Sequence, residues 1–202
     1  MTAIVDYGVG NLFSLRCSFG AIGEEAAVTS DPDEIRGADR IILPGVGAFS
    51  DAAKKLSESG LGEVVKECAA SGKPVMGICL GMQLLFERSC EYGVWEGLGI
   101  LEGDIVPISN VAPRDYKIPH IGWNALDIVK ESPILKYVKS GDFVYFVHSY
   151  FAANCGGEVT STAEYGAPLT ATVQKGNVFG CQFHPEKSGE VGLSILRAFC
   201  EV

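Results

Sequence analysis

A cysteine set between two glycines, in GICLGMQ at positions 77 to 83, has the residue types and spacing of an exposed nucleophile. Gly77 and Gly81 flank Cys79 in a G-x-C-x-G pattern. This is the thiol counterpart of the G-x-S-x-G turn, where small neighbours let a tight strand-to-helix turn present a reactive atom. The apolar run KPVMGI precedes it and LGMQLLFERS, with helical spacing, follows. Cys79 therefore belongs at the carboxyl end of a strand and the start of a helix, where backbone N–H groups and the positive end of the helix dipole favour an anionic sulfur and can hold an oxyanion.

A nucleophilic thiol needs a base, and the chain has 3 histidines, His120, His148 and His184. Only His184 has a carboxylate close by, Glu186 in FHPEK; His120 and His148 have no Asp or Glu within four residues. At separation two on an extended segment both side chains project to the same side, and Pro185 restricts the backbone between them. A carboxylate there would hold one imidazole tautomer, completing a triad of Cys79, His184 and Glu186. A third stretch, ILPGVGAF at 42 to 49, ends an apolar run in a Gly-x-Gly loop able to turn backbone N–H groups toward an oxyanion. Neither this loop nor GVGN at 8 to 11 completes the dinucleotide-binding pattern G-x-G-x-x-G.

The other cysteines carry no such pattern. Cys17, Cys68 and Cys200 fall on apolar helical faces and Cys181 in a strand, all read as ordinary buried thiols, while Cys90 and Cys155 lie in polar, loop-like stretches. The 7 cysteines show neither the paired spacing of a disulfide framework nor a CxxC metal pattern.

Positioning these residues requires a sheet. In the first half, TAIVDY, DRIILPG and KPVMGI alternate with the helical patterns NLFSLRCSFGAI, AAKKLSES and LGMQLLFERS, which is the rhythm of a parallel sheet covered by helices. After about residue 95 the strands come closer together, in GILEGDIV, KIPHIGWNAL, DFVYFVHSYF, LTATVQ and NVFGCQF, before SGEVGLSILRAFCEV returns to helical spacing. The pattern predicts one α/β domain over 1–202 whose sheet gains mixed or antiparallel strands in its second half. A composition of 47% hydrophobic and 20% charged residues fits a folded domain with one core. The net charge of -9 disfavours nucleic acid, no apolar run approaches the roughly 18 residues of a membrane helix, and the N-terminus lacks a secretion signal, so the expected location is the cytoplasm.

The PGVG loop, the GICLGMQ elbow and the FHPE segment, in that order, resemble the class I, triad-type glutamine amidotransferases. The resemblance spans nearly the whole chain. It implies a flavodoxin-like three-layer fold with a central, mixed but mostly parallel sheet and helices on both faces. It also implies that Cys79 is the nucleophile, His184 the general base and acid, and Glu186 its orienting partner, with no cofactor and no metal. Gly45, Val46, Gly47 and Leu80 are expected around the oxyanion, and Gln83, His148, Ser149 and Tyr150 around bound glutamine. Within the class, IVDYGVGNLFS, PGVGAF, GMQ after CLG, KIPHIGWN, FVHSY and HPEKS resemble the glutaminase subunits of imidazole glycerol phosphate synthases. That resemblance implies a (β/α)₈-barrel cyclase as partner, with Asn11, His120, Trp123, Tyr145 and Lys187 as interface candidates. Glutaminases of anthranilate or aminodeoxychorismate synthases, a stand-alone cysteine hydrolase and an inactive binding module remain as alternatives.

Overall fold

Short apolar strands joined by helices pair in parallel, because each crossover returns the chain to the same end of the sheet. The computed structural model describes residues 1–202. Its first half runs β1 (Thr2–Val5), α1 (Leu12–Ala21), β2 (Ala26–Thr29), α2 (Pro32–Gly37), β3 (Arg40–Leu43), α3 (Phe49–Glu58), α4 (Leu61–Ala70), β4 (Val75–Ile78) and α5 (Leu80–Leu84). The strands β5 (Phe86–Ser89), β6 (Trp95–Glu96), β7 (Leu101–Pro107), β8 (His120–Ala125) and β9 (Asp127–Ile128) come next. They are followed by β10 (Phe143–His148), β11 (Tyr150–Ala153), β12 (Val159–Glu164), β13 (Pro168–Lys175), β14 (Val178–Cys181) and α6 (Gly189–Cys200).

The main sheet has 8 strands in the order β2-β1-β3-β4-β14-β13-β12-β9. The first five are mutually parallel, in the doubly wound order that leaves a crevice beyond their carboxyl ends, and β13, β12 and β9 add antiparallel pairs. Alternation along the strands divides the core in two. Ala3, Val5, Ile41, Leu43 and Val75 pack with Ile35, Phe49, Leu56 and Val65 of α2, α3 and α4. Ile4, Ile42, Met76 and Ile78 face the other way, against Leu15 and Phe19 of α1 and Ile195, Leu196 and Phe199 of α6. Each such aliphatic or aromatic side chain adds about 1.5–3 kcal/mol on burial, and parallel backbone pairing sets β4 and β14 side by side at the sheet centre. The expected three layers are present, and no helix is long and apolar enough to cross a membrane.

Two smaller sheets flank this core, a four-stranded one, β11-β7-β5-β6, and the β8–β10 ribbon. The ribbon is two-faced. His120, Val144, Phe146 and His148 point inward, whereas Ile121, Trp123 and Phe143 are exposed on the opposite side.

Several expectations need correction. LGMQLLFERS is not one helix: α5 stops at Leu84, and FERS is β5. The cause is competition for carbonyls. Leu98 N–H donates to Leu84 O at 2.8 Å, Ile100 and Leu101 N–H to Leu85 O at 2.9 and 3.0 Å, and Gly99 N–H to Phe86 O at 3.0 Å, taking the acceptors that another helical turn would need. β2, α2 and β12 are not among the expected elements, and α4 was expected only as the helical face around Cys68. Cys17 is exposed, because the buried stripe of α1 is Leu15, Ser18 and Phe19. Cys155 is buried just beyond β11 among Ile105 and Ala152, and burial pushes its thiol up to about 11.

Candidate active site

The turn after β4 is strained at one residue. Cys79 has φ 55° and ψ −114°, outside the regions an L-residue favours, at an expected cost of about 1–3 kcal/mol. Its N–H donates to Cys181 O at 2.7 Å, tying the turn to β14, and its carbonyl accepts from Gln83 N–H at 3.1 Å. The flanking glycines are explained by close backbone approach. A Cβ on Gly77 would lie 2.5 Å from Met82 Cα, and one on Gly81 would lie 1.9 Å from Leu43 O. Larger residues at either position would displace the backbone that presents the thiol.

β14 delivers the candidate base. His184, three residues beyond Cys181, is anchored by its N–H to Tyr145 O at 3.0 Å, and its Nδ1 lies 2.9 Å from Glu186 Oε1. Because a carboxylate only accepts, Nδ1 carries the proton and Nε2 remains for the sulfur. Residues 185–187 form a 3-10 turn, not the expected extended segment, with Lys187 N–H bonded to His184 O and Ser188 N–H to Pro185 O, each at 3.0 Å. The turn folds Glu186 back beneath the imidazole, where the carboxylate is almost fully buried. Burial opposes a charge on His184, but hydrogen bonds to Cys79 and Glu186 and their negative charges prevail and raise its pKa to about 10. The charged form of His184 is therefore favoured beside the Cys79 sulfur, with the Glu186 carboxylate behind it.

Asn11 sits at the N-cap position of α1 but makes no capping bond there. Its Nδ2 donates instead to Glu186 Oε1 at 3.3 Å, although a cap is worth about 1 kcal/mol to a helix.

Cys79 and His184 open into a cavity of about 320 Å³. Val46, Gly47, Leu80, Gln83, His148, Ser149 and Tyr150, all expected from the sequence, line it. Gly45 does not: a Cβ there would lie 2.6 Å from Gly81 N and 2.9 Å from Leu80 Cβ, so this glycine lets the loop lie against the elbow. Gly47 adopts φ +93°, a conformation suited to glycine. The five-residue α5 provides a much smaller dipole than the helix expected after Cys79.

Glu91, Pro119 and Val147 also line the cavity and were not foreseen. Glu91 comes from the turn after β5 and accepts the Phe49 N–H at 2.5 Å, a pairing across 42 residues that no local pattern signals.

Of the other candidates, Trp123 is exposed and stands opposite Tyr145 across the ribbon, with ring centroids 6.1 Å apart. Lys187 Nζ lies 6.0 Å from the Tyr145 ring centroid. His120 is not on that surface. It lies three residues from Trp123 on one strand, hence on the other face, stacked 5.0 Å from Phe146 and 4.0 Å from Tyr165 by centroid. Burial lowers His120 to about 4 and, partly offset by the bond to Tyr150 O, lowers His148 to about 4, so both are neutral at pH 7.

Comparison with known proteins gives the family of the chain. The family model of class-I glutamine amidotransferases matches residues 3–201. The imidazole glycerol phosphate synthase subunit HisH of Caldanaerobacter subterraneus subsp. tengcongensis is 50% identical, over 100% of this chain and 98% of that protein. The protein of the same name from Lactococcus lactis subsp. lactis is 48% identical, over 98% of this chain and 96% of its own length. Among solved structures, a glutamine amidotransferase superposes with a TM-score of 0.77 at 21% identity, covering 98% of this chain and 97% of its own, a likeness of fold.

Proposed function

Because the chain belongs to the class-I glutamine amidotransferase family, we propose that it is the glutaminase subunit of an imidazole glycerol phosphate synthase and works through Cys79, His184 and Glu186 as a single domain. The observation that carries this reading is the buried His184–Glu186 pair at 2.9 Å, whose imidazole lines the same cavity as a cysteine held at positive φ.

The Cys79 thiolate attacks the side-chain amide carbon of glutamine, and the carbonyl π electrons move onto oxygen. Backbone N–H groups of the Val46–Gly47 loop and of Leu80 receive that oxyanion; losing one such donor typically costs about 3 kcal/mol of barrier. His184, as imidazolium, gives its proton to the departing nitrogen, the C–N bond breaks and ammonia leaves behind a glutamyl thioester. The now neutral His184 takes a proton from water, hydroxide adds to the thioester carbon, and collapse of the second tetrahedral intermediate returns glutamate and the thiolate–imidazolium pair. Glu186 holds the imidazole in orientation and balances its charge throughout. Gln83, His148, Ser149 and Tyr150 position the substrate.

The ammonia is passed to a (β/α)₈-barrel cyclase, which makes imidazole glycerol phosphate and an aminoimidazole carboxamide ribonucleotide. Exposed Ile121, Trp123 and Phe143 on the ribbon, with Tyr145 and Lys187 alongside and Asn11 near Glu186, support a docking surface at the mouth of the site. The test is ammonia release from glutamine by this chain alone and with the cyclase and its ribonucleotide ligand. Activity should rise strongly in the complex. Cys79→Ala should abolish it while synthesis from ammonium salts persists, and loss of both activities would defeat the assignment.

A further inference from the structure

The short α5 leaves a question about what else steadies an anionic sulfur, and a side chain outside the cavity lining answers it. Gln182 is fully buried just past β14, its N–H bonded to Ala171 O at 2.8 Å. Its Nε2 points at Cys79 Sγ from 3.8 Å. Its Oε1 accepts from Gln83 Nε2 at 2.9 Å, and the same Gln83 nitrogen donates to Tyr150 O at 3.2 Å.

The orientation of both amides follows from one fixed acceptor. The Tyr150 carbonyl can only accept, so Gln83 must present its NH₂ there. That nitrogen's other proton goes to Gln182, which must present its oxygen. The Gln182 NH₂ is then left for the sulfur. With Gln182 reversed, two NH₂ groups would meet and a carbonyl would face a thiolate.

We propose that Gln182 is a positioning residue for the nucleophile, donating an N–H to the Cys79 thiolate and held in that orientation by Gln83 and the Tyr150 carbonyl. The bond is strongest while sulfur is anionic, in the resting pair and again as the thiolate leaves the thioester. The groups facing Cys79 from the packed elements are His184 after β14, Tyr7 after β1 and Cys181 in β14, with His148 and Glu91 across the cavity. Tyr7 and Cys181 are both raised, chiefly by burial, so they stay neutral. Gln182 is then a dry, uncharged donor opposite the imidazolium. The inference rests on Cys79 being the nucleophile.

Gln182→Met removes the donor at similar size, and Gln182→Leu removes it with a shorter apolar side chain and no new charge, so it carries the test if the first variant does not fold. The readouts are the thiolate absorbance at pH 7 abolished by alkylating Cys79, the His184 imidazolium titration by NMR, and glutaminase kinetics in the cyclase complex. Both variants should lose most of the thiolate absorbance, titrate His184 at lower pH, and lower kcat roughly tenfold with KM within about twofold, because Gln182 does not line the substrate cavity. Unchanged absorbance and titration, whether or not kcat falls, would overturn the proposal. Wild-type chain lacking any such absorbance would instead defeat the thiolate–imidazolium reading, and this inference with it.

Discussion

Asn11 and His184 share one oxygen: Glu186 Oε1 accepts from Asn11 Nδ2 at 3.3 Å and bonds His184 Nδ1 at 2.9 Å. The amide at the head of α1 thus braces the carboxylate that orients the imidazole. Asn11→Ala should lower kcat for glutamine by about tenfold or less, Glu186→Gln should cost more, and His184→Ala most, since only the last removes the base. Steady-state kinetics of the three in the cyclase complex decide this. Equal losses for His184→Ala and Glu186→Gln would refute the division of roles.

The three histidines predict a pH profile of stability with opposed limbs. His184, raised to about 10, contributes stability that is complete below about pH 6.5 and is lost as pH rises through 10. His120 and His148, lowered to about 4, contribute stability that is complete above about pH 6.5 and is lost as pH falls through 4. Urea unfolding across pH 4 to 10 should show the alkaline limb shrinking in His184→Ala and the acid limb shrinking in His120→Gln. An alkaline limb untouched by His184→Ala would contradict the raised value.

Packing around the elbow separates glycines that look alike in sequence. Gly81→Ala would drive a methyl to within 1.9 Å of Leu43 O and should destabilise the chain by more than about 3 kcal/mol, whereas nothing lies within 4 Å of a Cβ at Gly20 in α1. Gly20→Ala should be neutral or stabilising by up to about 1 kcal/mol. Chemical denaturation of both variants provides the comparison.

On the ribbon, Trp123→Ala should weaken binding to the cyclase by about 30-fold or more, the scale of an aromatic hot spot, without changing alkylation of Cys79 in the isolated chain. Calorimetry and thiol labelling measure the two effects. Unchanged affinity would move the docking surface elsewhere.

The candidate triad was legible because its signals are local: two glycines around Cys79, and a carboxylate two residues after His184. Within the parallel part of the sheet, β1, β3 and β4 were legible because they are apolar runs between helical patterns, whereas the short β2 was not. The rest depends on distant partners or on weaker signals. The α5 boundary is set by N–H groups from residues 98 to 101, and Glu91 reaches the site through Phe49. Gln182 gains meaning only once Gln83 and Tyr150 stand beside it. Some signals were present and went unread. Asp31 before Pro32 caps α2 by accepting from Asp33 N–H at 2.8 Å, and Leu61, Val64 and Val65 extend the helical face read at Cys68 back to the start of α4.

The ribbon that carries Trp123 is a single chain-layer thick. Trp123 pairs with Tyr145 on its outer side, and His148, three residues along β10, lines the cavity beside Cys79 from its inner side. A molecule resting on the tryptophan and a substrate resting beside the histidine would therefore press on opposite sides of one sheet of peptide planes. Both sides belong to the same two strands, β8 and β10, which pair with each other and not with the central sheet.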